Sequence, residues 1–222
     1  MEIYSLIIDN KNIIKFFYAL IIIAICATIV RKADRLYGLS RYKGIRYFRN
    51  AFFFYALGFI ARYFISPLFS SAFTNPVFEY FFVMAGFFLV YSLIWKSVEK
   101  QNESYRSSLF NSKIFILHIT ALLISLTDYY FGFYGAMFFS QIILFSFASV
   151  ISCRNYLRGK NKHKFLKFYF LAMLMSLFAW SLNALAFIFY EWNQGIMLNI
   201  YILNMLVFLL FLYGVIKITK NL

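Results

Sequence analysis

The chain has 222 residues, 63% hydrophobic and 23% aromatic but only 14% charged, with a mean hydropathy of +0.73. A soluble domain carries charge on about a quarter of its residues, so a soluble fold is excluded. The net charge of +14 would point to nucleic acid in a soluble protein. Here it lies between apolar runs of about membrane-spanning length, where it marks cytoplasmic loops, and no nucleic-acid partner is expected.

Residues 1–12 are short and polar at intervals, with Glu2 and Asp9. The first apolar run, Ile13–Val30, reads as a span rather than a cleaved signal peptide. It is followed at once by Arg31, Lys32 and Arg35, which hold that end inside and leave the N-terminus outside. The stretch RKADRLYGLSRYKGIRYFR, residues 31–49, carries seven basic residues and one acid. It sets the direction of all later spans, with a short interfacial helix expected around Leu36, Leu39 and Ile45. Arg31, Lys32, Arg35, Arg41, Lys43, Arg46 and Arg49 are its candidate contacts to anionic lipid headgroups, at about 1 kcal/mol each near the surface.

Span two is Phe48–Ser66, closed by Pro67, and PLFSSAFTNP follows as an outer loop without a basic residue. Spans three to seven are Val77–Trp95, Ile114–Thr127, Phe131–Cys153, Phe168–Tyr190 and Ile196–Ile216. A second basic loop, from Arg154 to Lys167, separates spans five and six. All Lys and Arg except Lys11, Lys15 and Arg62 then fall inside. The sequence therefore predicts one all-α domain of seven transmembrane helices, N-out and C-in, in the cell membrane. Span, basic loop, span recurs in the same orientation at 13–66 and 131–190, which permits a three-plus-one-plus-three plan.

Few residues are candidates for chemistry. Arg62 lies about 20 Å along the helix from Arg49, in the outer third of a core about 30 Å thick. Glu79, Asp128 and Glu191 fall near the same depth. Three readings stay open: an outward site where Arg62 meets an anionic ligand, with Glu79, Asn183, Tyr201 and Glu191, a structural salt bridge to Glu79, or snorkelling of Arg62 to the outer surface. His118, Ala121, Ser125 and Asp128 share one helical face, which could form a proton path or simply pack inward. Ser176, Trp180, Asn183 and Phe187 share another, and Met197, Tyr201 and Asn204 a third. Gln141 and Asn204 are intramembrane amides of the kind that join helices. Cys26 and Cys153 are expected as free thiols. Two histidines and no clustered carboxylates provide neither a metal site nor a cofactor ligand set. The seventh span lacks an interior lysine for a retinal Schiff base, and no nucleophile–base set is evident.

The basic first inner loop running into span two, GIRYFRNAFFFYALGFIARYF, together with length and topology, resembles the seven-span sensory regions that precede prokaryotic histidine kinases. That resemblance implies a sensor whose output, absent after the last span, passes to a separate signalling or membrane partner. The small three-plus-one-plus-three sugar transporters share the span count, but their Pro-Gln signature is missing: the prolines stand in Ser-Pro-Leu and Asn-Pro-Val. The expected function is a non-enzymatic sensor-like or accessory module acting through partners or lipid. A small transporter or channel is the alternative, and a lipid-acting enzyme the third reading.

Overall fold

The structure is a computed structural model that describes residues 11–69, 71–98, 109, 111–132, 134–158, 164–190 and 194–219. Every regular element among them is helical. In chain order these are α1 (Lys11–Ser40), α2 (Lys43–Ile60) continuing into a π turn (Ala61–Ile65), α3 (Ser71–Val98), α4 (Ser112–Phe131), α5 (Gly135–Arg158), α6 (Lys164–Tyr190) and α7 (Gln194–Thr219). All but α2 are long and apolar enough to cross a membrane, which makes this a multi-pass membrane protein. The α-helical part of α2 has 18 residues, and Lys43, Arg46 and Arg49 lie among them. Those charges keep it below the same measure of length and composition.

Three expectations change. The basic stretch holds no separate interfacial helix. Instead, α1 continues through it to Ser40, and the chain breaks at Arg41, whose φ is +52°. The loop expected up to Pro76 ends earlier, because α3 starts at Ser71 and carries Pro76 inside it. Span four, expected to be short, is a 20-residue helix ending on Gly132 at φ +72°, whose N–H donates to the Asp128 carbonyl. Glycine adopts that left-handed cap without strain.

Six helices close a ring. α1 packs on α2 and α7, α2 on α3, α3 on α5, α5 on α6, and α6 on α7. α4 lies outside it, against α3 and α5. Its other face, including Phe115, Ile119, Leu122 and Leu126, is exposed, as a lipid-facing surface must be. Helices pair in a bilayer mainly by close packing, and small residues at the contacts show it: Ala19, Ala33, Ala51, Ala121, Ala148 and Ala172 are all fully buried. A Cβ on Gly58 would stand 2.5 Å from the Phe82 ring, and one on Gly86 would stand 2.6 Å from Gln141 Oε1. These two glycines are close-approach positions rather than flex points.

Polar side chains tie the helices together. Asp128, 3% exposed, accepts from the Ala136 N–H at Oδ1 and the Met137 N–H at Oδ2, both at 2.7 Å. It thereby seats α4 on the first turn of α5, where backbone donors have no helical acceptor. His118 Nε2–H donates to the Leu109 carbonyl at 2.9 Å, and with that tautomer Nδ1 accepts from the Tyr80 hydroxyl at 2.7 Å. With Ala121 and Ser125 also buried, this face of α4 works as an attachment to α3 and α5.

At the basic end, Arg49 reaches Asp34 of α1 at 2.7 Å and donates from Nε and Nη2 to the buried Asn50 side chain. Its guanidinium is engaged inside the protein. Arg46 lies 5.7 Å from the Tyr37 ring centroid, and Arg31, Arg35 and Arg41 are exposed.

Gln141 is fully buried, with one long bond of 3.4 Å from Nε2 to the Phe82 carbonyl and no partner for Oε1. A buried unsatisfied oxygen costs about 1–3 kcal/mol. Gln141→Met, which keeps the unbranched shape, is therefore expected to leave stability unchanged or raise it by about 1 kcal/mol. Thermal unfolding of the purified protein in detergent reads this directly. A loss of more than about 1 kcal/mol would mean that the amide is satisfied in solution.

Candidate functional site

The inward face of α2 runs Phe48, Phe52, Tyr55, Phe59, Arg62. The spacing is i, i+4, i+7, i+11 and i+14, which keeps one side of a helix. The lower part of that face is a plug. Phe52 meets Phe211 at 5.1 Å and Phe208 at 6.1 Å, and Phe48 meets Tyr169 at 5.9 Å and Phe211 at 6.1 Å. These contacts join α2, α6 and α7 across the ring at the basic half. Tyr169 is pinned in turn by a 3.1 Å hydroxyl–hydroxyl bond to Ser92 of α3.

Above the plug the ring encloses a cavity of about 110 Å³. Every ring helix contributes and α4 does not: Tyr18 comes from α1, Arg62 from α2, Phe82 from α3, Phe138 from α5, Asn183 from α6 and Tyr201 from α7. The head of the cavity is the end of the bundle away from the basic segment, where the last turns of α2 and α6 meet the first turns of α1, α3, α5 and α7. There the helix of α2 widens. The Ser66 N–H donates five residues back to the Ala61 carbonyl at 3.0 Å, the signature of a π turn, a form common at functional sites. The wider turn lets the consecutive residues Arg62 and Tyr63 both line the cavity.

Arg62 is the cation of the site. Its guanidinium carbon lies 4.5 Å from the Phe78 ring centroid and 5.7 Å from that of Tyr134, distances at which a cation is attracted to a ring face. Tyr63 interacts with both Arg62 and Tyr201. Among the described residues no carboxylate lies within ion-pair distance of Arg62, so the salt bridge to Glu79 expected from sequence is not formed. Glu79 is 3% exposed and lies close to Asp128 of α4, with Oε2 unpartnered, and from there it still acts on Arg62 electrostatically.

The walls are aromatic. Tyr18 stacks on Tyr201 at 4.6 Å, and Phe59 on Tyr63 at 6.0 Å. The indole of Trp180 takes ring edges from Phe82 and Phe138, both at 6.1 Å. Tyr55 interacts with Trp180, and Tyr18 with Asn204. Asn183 donates from Nδ2 to the Ala179 carbonyl at 2.7 Å, which orients its amide on the wall.

Of the residues expected to form an outer polar cluster, Arg62, Asn183 and Tyr201 come together in this cavity, and Asn204 joins them. Glu79 does not line it, and Glu191 lies outside the described residues. Gln141 and His118 are at helix contacts away from it. Tyr18, Tyr63, Phe78 and Tyr134 were not singled out by sequence. Tyr63 had a usable signal, its place beside Arg62. Among the described residues no group of three His, Cys, Asp or Glu could hold a metal ion. Comparison with protein-family models, curated proteins and solved structures finds no match.

Proposed function

We propose that this is a seven-span, N-out and C-in, non-enzymatic sensor-like membrane protein. It takes a small molecule into the cavity from the outer side and passes the event to a partner at its basic inner face. The support for this reading is the make-up of the ring: it holds a pocket headed by Arg62 and Asn183, and Phe48, Phe52 and Phe211 pack on one another at the basic end of that pocket. A chamber with a polar head and a packed floor suits binding better than passage. α2 supplies both Arg62 and the plug, so a ligand at the head acts on the helix whose other end starts beside the basic stretch.

Transport is the second reading, and two features favour it: the π turn in α2 and Pro76 inside α3, both next to the cavity. Interrupted helices at a binding site are the mark of many transporters.

Side-specific thiol labelling decides between them. With Cys26 and Cys153 replaced, single cysteines at Arg62→Cys, Asn183→Cys, Asn204→Cys and Gln141→Cys are exposed to an impermeant reagent on either face of sealed vesicles. The sensor reading expects 62, 183 and 204 to react from outside only, and 141 to stay silent. Reaction of 141 or 204 from both faces would establish a through-path and replace sensing with transport. Silence at all four would remove the cavity as a site.

A further inference from the structure

The chemistry of the ligand can be taken further, and this step rests on the reading of the cavity as a ligand site. We propose that the cavity binds a small aromatic monocarboxylate of about the size of benzoate, with its carboxylate on Arg62 and its ring among Phe59, Phe82, Trp180 and Phe208. Charge comes first. A cation inside a span is commonly paired or next to a polar cavity, and Arg62 lines a cavity with no carboxylate in ion-pair range among the described residues. The Phe78 and Tyr134 ring faces hold the guanidinium in place without neutralising it. Among the described residues no carboxylate pairs with it, and Glu79 acts on it only from beyond ion-pair distance.

The form of a matching anion follows from the donors. A guanidinium is a planar fork that matches a carboxylate with two parallel hydrogen bonds. A phosphate monoester carries nearly two charges and three strong acceptor oxygens. The other polar side chains that line the cavity are neutral, among them the Tyr63 and Tyr201 hydroxyls and the Asn183 amide. One cation with neutral neighbours fits a monoanion.

Size and shape set the rest. A dry protein cavity of about 150 Å³ accepts benzene. The space here, about 110 Å³, is smaller than that but open on one side, so a single six-membered ring is the most it holds and the carboxylate has to lie in the open part beside Arg62. It is too small for a fused bicycle or a long acyl chain. The walls present ring faces and edges at the offsets that aromatic partners favour, as Phe82 and Phe138 already do toward Trp180.

The test uses the whole chain in lipid nanodiscs, with calorimetry and the intrinsic fluorescence of its three tryptophans, Trp180 among them, as readouts. The probes are benzoate, benzyl alcohol as its neutral counterpart, acetate as the carboxylate without a ring, and inorganic phosphate. Benzoate is expected to bind saturably and at least about tenfold tighter than benzyl alcohol, the worth of one hydrogen-bonded charge. Acetate and phosphate are expected not to saturate. Arg62→Gln should erase the preference for benzoate over benzyl alcohol, and Arg62→Lys should keep part of it.

Equal binding of benzoate and benzyl alcohol to the native protein would overturn the proposal while leaving the cavity a ligand site. Saturable phosphate binding tighter than benzoate would also overturn it. If no probe binds but cysteines at 183 and 204 label from outside, the ligand class is wrong and the sensor reading stands. If those cysteines are silent, both fall. The comparison of probes on the native protein needs no variant, so a misfolded Arg62→Gln leaves the test intact.

Discussion

Asp128→Ala should destabilise the protein by about 3 kcal/mol, the largest loss expected from a single polar side chain in this fold. Its two oxygens accept from the Ala136 and Met137 N–H groups at 2.7 Å. Truncation leaves one buried donor (Met137 N–H) and one part-buried donor (Ala136 N–H) at the start of α5 without an acceptor. An ordinary helix cap is worth about 1 kcal/mol. Here the carboxyl is 3% exposed and water cannot replace it, so the cost of stranding each donor is added. Asp128→Asn keeps one acceptor and should fall between. Ser125→Ala, three residues earlier on the same buried face, is the control. Its hydroxyl bonds only the Leu122 carbonyl of its own helix at 3.1 Å, so its loss should be within about 0.5 kcal/mol. Denaturant unfolding in detergent, followed by circular dichroism, ranks the three. Equal stability of Asp128→Ala and Ser125→Ala would show that the cap carries no weight.

The second large effect is expected at Gly58, and it couples stability to the cavity. A Cβ there would stand 2.5 and 2.6 Å from two carbons of the Phe82 ring. That ring is held by Phe78 at 4.5 Å and by Tyr55 and Phe59 at 5.3 Å each. It lines the cavity, so the free direction in which it can yield is into that space. Overpacking of this kind costs about 1–3 kcal/mol, offset in part by the roughly 1 kcal/mol gained when alanine replaces glycine in a helix. Gly58→Ala should therefore lower stability modestly and shrink the cavity sharply. Outside labelling of Asn204→Cys should slow at least several-fold in the Gly58→Ala background, while Arg62→Cys, at the head, should label as before. Unchanged labelling at 204 would mean that Phe82 moves elsewhere.

Much of the site was legible before the structure. Asn183 and Trp180 fall at helical spacing on α6, as do Tyr201 and Asn204 on α7, and a lone arginine inside an apolar run stands out on cost alone. The walls were not legible for a compositional reason. With 31 Phe and 18 Tyr in the chain, an aromatic residue carries almost no positional information, and Tyr18 or Phe78 looks like any other. Glu79 does not line the cavity, and sequence could not tell this, because depth along a helix says nothing about the side it faces. It sits one residue from Phe78 and turns toward α4, while Phe78 turns toward the cavity.

The extension of α1 to Ser40 was missed for a different cause. Charge marks where a membrane ends, and Arg, Lys, Ala and Leu all favour helix, so the helix had no reason to stop there. The π turn follows from how α2 meets its neighbours, and no local residue pattern announces it.

The position of α4 outside the ring has a consequence of parity. Each helix reverses the chain, so α1, α3, α5 and α7 run one way and α2, α4 and α6 the other. The two seams that close the ring, α3 against α5 and α7 against α1, each join helices running in the same sense. That is possible only because one surplus reversal, α4, lies between the triples α1–α3 and α5–α7. Both middle helices, α2 and α6, therefore finish at the same end and deliver Arg62 and Asn183 to one chamber. Without that reversal the second triple would stand upside down, and the two polar heads would lie on opposite sides of the membrane. α4 lines no part of the cavity, yet Arg62 and Asn183 share one chamber because α4 is there.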